Sequence, residues 1–393
     1  MNVGLSTTMI QRGKSGIAQY VFALVRALLA EGPAHRLHLF VLEEDQSLFD
    51  FARDAVKTIP VPERFRPALK NILWHHTKLP ALARQLRLDV LHVPSYRRLL
   101  WRKPCALVAT IHDLAPFHVS GKYDPARMFY GKVVVRRLAH RQDEIIAIST
   151  DTARDIERFF GIPLTRQNVV LNGIDHQRFC PGDAAEAKQQ AAARWDLRAR
   201  FFLYISRLEH PAKNHVRLIE AFTAFKMTTR APWLLALGGS DWHGANAIYA
   251  AARASPCQAD IRFLGFVADA DLPTLYRAAD GFVYPSLFEG FGFPPVEAMA
   301  CGCPVISSTR GALAEVVGEA AAVINPDNTH DIVHALQRVA TEESCRTRLV
   351  ADGFRNARRF DWRLNARAVL QIYDRAVRQR SGGSFCPDKT PPI

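Results

Sequence analysis

No stretch of this 393-residue chain reaches the eighteen or so consecutive apolar residues of a membrane-spanning helix, so no transmembrane span is expected. A signal peptide is not expected either, because Arg12 and Lys14 follow the short N-terminal apolar run instead of preceding it. Cysteine is sparse: Cys105, Cys180, Cys257, Cys301, Cys303, Cys345 and Cys386 make an odd set of seven without a C-x-x-C pair. Cys301 and Cys303 have no histidine cluster nearby, so free thiols in a reducing cytoplasm are expected. The 22 glycines and 23 prolines are dispersed, which excludes collagen-like or low-complexity sequence. Acidic residues are also short: 38 against 51 Lys and Arg, a net charge of +13.

That excess is local. Residues 51–142 hold 18 basic and 5 acidic residues, a surplus of 13, whereas residues 181–393 hold 25 and 22. Nucleic acid, an anionic membrane surface and a merely solvated face all fit such a stretch. Trp74, Tyr96 and Trp101 among the charges favour an interfacial role, since Trp and Tyr suit the headgroup region.

Short apolar runs alternate with helical periodicity along the chain. Strands are expected at Asn2–Ile10, Leu37–Leu42, Val90–Val93, Leu107–Ile111, Ile145–Ile148 and Val169–Leu171. A second series is expected at Phe201–Ile205, Trp233–Leu237, Ile261–Leu264, Gly281–Tyr284, Val305–Ser307 and Ala321–Ile324. Runs apolar throughout suit parallel strands buried on both faces, and helices are expected at Ile17–Ala30, Val216–Phe225 and Asp331–Ala340. The result is an α/β chain of two doubly wound sheets: domain 1–180, domain 181–360, a helix 361–380 and a disordered tail 381–393. Ligands in such sheets bind at loops that follow strands.

Four of those loops carry chemistry. In Ser286–Ile306, Glu289 sits among Gly290, Phe291 and Gly292, and Pro294 and Pro295 open a helix that places Glu297 in its first turn. Two carboxylates beside exposed backbone N–H groups suit a polyhydroxylated, phosphorylated ligand, although a plain Gly-rich turn has the same look. In Tyr204–Phe222, Arg207 and Lys213 flank a helix start with Asn214 as N-cap, able to hold a diphosphate or to remain solvated. Arg12-Gly13-Lys14-Ser15-Gly16 separates a strand from a helix and has neither the G-x-G-x-x-G nor the G-x-x-x-x-G-K-[ST] pattern. His112-Asp113 ends a buried strand. Asp269-Ala270-Asp271 has D-x-D spacing but reads as a helix cap.

Together these segments resemble the retaining glycosyltransferases of family 4, also called glycosyl transferases group 1. The resemblance covers about residues 3–378, most specifically Glu289–Glu297, an E-x7-E motif in an EGFG-x-P-x-x-E-A-M-A-x-G-x-P-V-I setting. Arg207 and Lys213 match the R-L…K loop with one extra residue between them, and Ser15-Gly16 stands where Gly-Gly is usual. The resemblance implies the GT-B fold, two Rossmann-like doubly wound domains facing across a cleft, with the C-terminal helix crossing back to the first. It implies that Arg207 and Lys213 hold the donor diphosphate and stabilise the leaving charge. Glu289, with the backbone around Gly290, Phe291 and Gly292, takes sugar hydroxyls, and Glu297 takes the ribose. Gly16 lets the first loop approach the phosphates, His112 lies near the transferred sugar, and Phe263 and Leu264 of FLGFV lie along the base.

The function so implied is transfer of a hexose from a nucleotide diphosphate sugar, with retention, no cofactor and no metal. GDP-mannose is the first expectation for the donor, with UDP-hexoses next. The implied acceptor is a lipid-linked or polysaccharide chain in bacterial surface polysaccharide synthesis. The place is the cytoplasmic face of the inner membrane, contacted through residues 51–142. A sugar-nucleotide epimerase or a phosphorylase of the same architecture is the alternative. A nucleic-acid binder would leave Glu289, Glu297, Arg207 and Lys213 idle, so no nucleic-acid partner is expected.

Overall fold

The computed structural model describes residues 1–13, 15–118 and 129–380; Lys14 and the expected tail 381–393 lie outside the described residues. The chain divides into two compact units, Met1–Gly173 with the chain from Trp362 onward, and Ile174–Asp361. No described helix is long and apolar enough to cross a membrane.

The first unit holds a seven-stranded parallel sheet. Its strands are β1 (Asn2–Ser6), β2 (Arg36–Leu42), β3 (Val56–Val61), β4 (Val90–Val93), β5 (Ala106–Ile111), β6 (Glu144–Ala147) and β7 (Gln167–Val169). The order is β3-β2-β1-β4-β5-β6-β7, so the winding reverses between β1 and β4. β4 and β5 are buried at every residue, as both faces are covered by helices. β3 is absent from the expected strands for a physical reason. It is an edge strand, half exposed, and its Lys57 and Pro60 break the apolar run.

The helix Trp362–Arg380 belongs to this unit. Its Ala366, Val369, Ile372, Tyr373 and Ala376 enter the same core as Val21, Leu24 and Leu28 of the helix Gly16–Glu31. Arg375 on the same helix pairs with buried Glu144 at 3.1 Å.

The second unit holds six parallel strands: β8 (Arg200–Ile205), β9 (Trp233–Gly238), β10 (Ile261–Gly265), β11 (Gly281–Tyr284), β12 (Val305–Ser308) and β13 (Ala322–Ile324). Their order, β10-β9-β8-β11-β12-β13, reverses between β8 and β11. Residues 174–180, expected in the first domain, pack with the second unit. Ile174 N–H donates to the Phe360 carbonyl at 3.1 Å, and Arg277 Nε donates to the Cys180 carbonyl at 2.9 Å.

Candidate functional site

In an open α/β sheet the crevice lies where strand order reverses, at the C-terminal strand ends. In the second unit those ends belong to β8 and β11, and the loops after them carry Arg207, Lys213 and Glu289. Lys213 Nζ donates to Glu289 Oε1 at 2.5 Å, with both side chains 14% exposed. The Tyr284 hydroxyl donates to the same oxygen at 2.9 Å. Burial opposes ionisation of Glu289, but the Lys213 charge and hydrogen bond, with the Ser286 and Tyr284 hydroxyls, outweigh it and hold the carboxyl below its usual range. An ionised acceptor beside an ammonium therefore stands ready for hydroxyls and phosphate.

Two glycines make this loop possible. Gly292 has φ +100, and a Cβ there would lie 2.5 Å from the Leu313 side chain. Gly311 has φ +63, and its Cβ would lie 2.4 Å from the Glu289 carbonyl oxygen. Phe291 is buried, meets Phe360 edge-on and packs tilted against Phe293, anchoring the loop between Gly290 and Gly292.

Arg207 leaves β8 half exposed. Its Nη2 donates to Glu209 at 3.1 Å, and its guanidinium lies 4.8 Å from the Trp242 ring centroid. The loops after β8 and β9 are bonded to each other, with Leu208 N–H on Ser240 O at 2.9 Å and Trp242 N–H on Leu208 O at 3.2 Å. Phe263 and Leu264 sit at the end of edge strand β10, with the Phe263 ring 4.6 Å from that of Tyr249.

Three expectations are corrected. Glu297 lies one turn deeper than the first helical turn, because the helix runs Phe293–Ala300 from its N-cap Gly292. It accepts from the Tyr276 hydroxyl at 3.0 Å, and burial pushes its carboxyl up to about 7 despite that bond and the Arg178 charge. Asn214 does not cap its helix through its side chain. Its φ is 60°, and its amide donates to the carbonyls of Pro285 and Pro326 at 3.1 and 2.7 Å, tying the β8 loop to those after β11 and β13. Asp271 does occupy the N-cap position of the helix Leu272–Ala278, but its carboxylate pairs with Arg194 and makes no cap hydrogen bond. No group of described His, Cys, Asp and Glu residues could hold a metal ion.

In the first unit, Gly16 begins the helix Gly16–Glu31, and Ser15 Oγ caps it by accepting from Ala18 N–H at 3.2 Å. Among the described residues, a Cβ on Gly16 would meet nothing within 4 Å. His112 follows β5. Burial pushes its imidazole down to about 4, its ring meets Tyr20 edge-on at 4.7 Å, and its Nε2 has no partner among the described residues. A neutral ring bonded to the Pro94 carbonyl leaves Nε2 as a bare acceptor. The Asp113 carboxylate accepts from Ala115 N–H at 3.0 Å.

Tyr284, Tyr276, Trp242 and Gly311 join the site without having been singled out in the sequence. The detectable signal was faint: Tyr284 ends a strand five residues before Glu289.

The family model described as Glycosyl transferases group 1 matches residues 186–355, and that described as Glycosyltransferase Family 4 matches residues 14–178. The chain is 32% identical to O-antigen chain mannosyltransferase B of Escherichia coli over 269 residues, 68% of this chain and 69% of that one. It is 30% identical to a D-inositol 3-phosphate glycosyltransferase of Rhodococcus erythropolis over 74% of this chain and 67% of that one. Among solved structures, sucrose-phosphate synthase from Thermosynechococcus elongatus matches with a TM-score of 0.77 at 20% identity, over 95% of this chain and 98% of that one. Anabaena HepE in complex with UDP-glucose matches with a TM-score of 0.75 at 18% identity, over 95% of this chain and the whole of that one. These likenesses show the GT-B fold.

Proposed function

The chain belongs to glycosyltransferase family 4, and from that premise we propose that it is a retaining, metal-independent hexosyltransferase of bacterial surface polysaccharide synthesis, using GDP-mannose. The contact between Lys213 and Glu289 supports this reading most. It brings a phosphate-binding cation and a hydroxyl-binding carboxylate together at the strand-order reversal. Arg207 and Lys213 take the diphosphate and neutralise it as it leaves; Glu289 and the N–H groups around Gly292 take the sugar; Glu297 takes the ribose. In the first unit, His112 Nε2 is suited to accept from a sugar hydroxyl. No side chain serves as nucleophile, so catalysis is positioning plus electrostatic stabilisation, and the acceptor hydroxyl gives its proton to the departing diphosphate.

The mannose assignment draws on the 32% identity to a protein named O-antigen chain mannosyltransferase B, a name that also supports a saccharide-chain acceptor. A UDP-hexose donor is the second reading, favoured by the fold shared with a UDP-glucose complex. A thermal-shift screen against GDP, UDP, ADP and their sugars separates the two. GDP-mannose is expected to raise the melting temperature most, by mass action, and indifference to every nucleotide diphosphate would refute the donor reading.

The protein docks peripherally on an anionic membrane, at the cytoplasmic face, through the helix Ala68–Gln85. Leu69 and Leu73, one turn apart, are 81% and 58% exposed, with Lys70 and Lys78 exposed on the same helix. Apolar side chains framed by cations suit an anionic lipid surface. Lys103, by contrast, is held by Asp143 at 2.6 Å, and Arg98 turns toward Asn71. Replacing Leu69 and Leu73 with Asp should abolish co-sedimentation with phosphatidylglycerol vesicles; retained binding would contradict this docking face.

A further inference from the structure

The first unit also has a strand-order reversal, between β1 and β4, which pair in parallel. The crevice expected there is lined by the residues just beyond those strands, among them Thr8 after β1 and Arg98 after β4. Arg98 Nε donates to Asn71 Oδ1 at 2.6 Å, and its Nη1 donates to the Arg97 carbonyl at 3.2 Å. Thr8 Oγ1 donates to the same Asn71 oxygen at 3.4 Å. Asn71 is buried, and its Nδ2 is fixed on the Phe65 carbonyl at 3.0 Å, so the group that orients Arg98 is itself held.

What Arg98 lacks is an anion. Among the described residues no carboxylate pairs with it, and the charged or titratable groups around it are Tyr130, a second cation, Arg97, and the buried His75. Other partly buried arginines of this unit are compensated: Arg66 by Asp45 and Glu63, Arg375 by Glu144. Burial accordingly works against the Arg98 charge and draws the guanidinium down to about 10. A desolvated guanidinium held only by neutral oxygens is costly for the folded protein, and its fork of donors matches a phosphate or carboxylate.

We propose that Arg98, with the Thr8 hydroxyl beside it, forms an oxyanion subsite in the first unit that takes a phosphate or carboxylate group of the acceptor. The link to the acceptor rests on the glycosyltransferase reading above; the binding of an oxyanion does not.

The full chain is first saturated with GDP or UDP, so that Arg207 and Lys213 are occupied. Inorganic phosphate is then titrated in at constant ionic strength, with acetate in a parallel arm, and the melting temperature is followed. Phosphate should stabilise the wild type and the Arg207→Ala/Lys213→Ala variant alike. Arg98→Gln should lose the response, with affinity down by at least about tenfold, and Arg98→Lys should keep part of it. The acetate arm shows which oxyanion is taken. Unliganded Arg98→Gln should melt no lower than wild type, because the charge it removes is uncompensated. An undiminished phosphate response in Arg98→Gln, or none in the wild type, would overturn the subsite. A response that depends on Arg98 in a chain that transfers no sugar would uphold the subsite and defeat the functional reading.

Discussion

The two units place their chemistry at the same topological point, yet they treat charge in opposite ways. In the second unit the site is paired within itself: Lys213 with Glu289 at 2.5 Å, Arg207 with Glu209 at 3.1 Å, Tyr276 with Glu297 at 3.0 Å. In the first unit, among the described residues, His112 Nε2 is buried without a partner and Arg98 has no counter-ion. The site of the second unit is thus preorganised, with a fixed carboxylate and ammonium. The other side leaves groups open, and its ligand must complete them.

The largest expected effect comes from breaking the paired site. Glu289→Ala should lower transfer by at least about 100-fold through lost positioning of the sugar. It should also cost about 1–3 kcal/mol of stability, since Lys213 would stay largely buried without its partner. Turnover of radiolabelled donor together with denaturant titration checks both, and wild-type turnover would sink the assigned role.

A smaller effect is expected at Glu297. Its folded-state carboxyl is raised from 4.5 to about 7, so the folded chain holds a proton that the unfolded chain releases. Stability should therefore fall as pH rises from about 4.5 to about 7 and stay lower above that. Glu297→Gln should flatten that limb and stabilise the protein at pH 8 by about 1 kcal/mol, after allowance for its partial contact with water. The same variant should weaken nucleoside diphosphate binding. Melting temperatures across pH would show it, and an unchanged pH dependence would remove Glu297 as its source.

The difference between the units also decides what the sequence reveals. Glu289, Gly292 and Glu297 lie in one segment whose spacing shows the loop and helix, so that part of the second unit is legible from residue types. Its supports are not: Gly311 and Trp242 arrive from other strand ends, and Asn214 looks like an N-cap but its side chain spans two loops. Arg98 is harder still. In the sequence it is one charge within a basic stretch, and only its contact with Asn71, 27 residues away, turns it inward. The fold is readable wherever strands are buried on both faces. Edge strand β3 escapes because half its surface meets water and carries a lysine and a proline.

Calorimetric titration of GDP and UDP into three proteins tests the central claim most directly: wild type, Arg207→Ala/Lys213→Ala and Arg98→Gln. The nucleotide should bind wild type and Arg98→Gln equally and lose about 100-fold or more in the double variant, because both diphosphate cations lie in the second unit. Equal affinity for wild type and the double variant would contradict the assignment of the donor site.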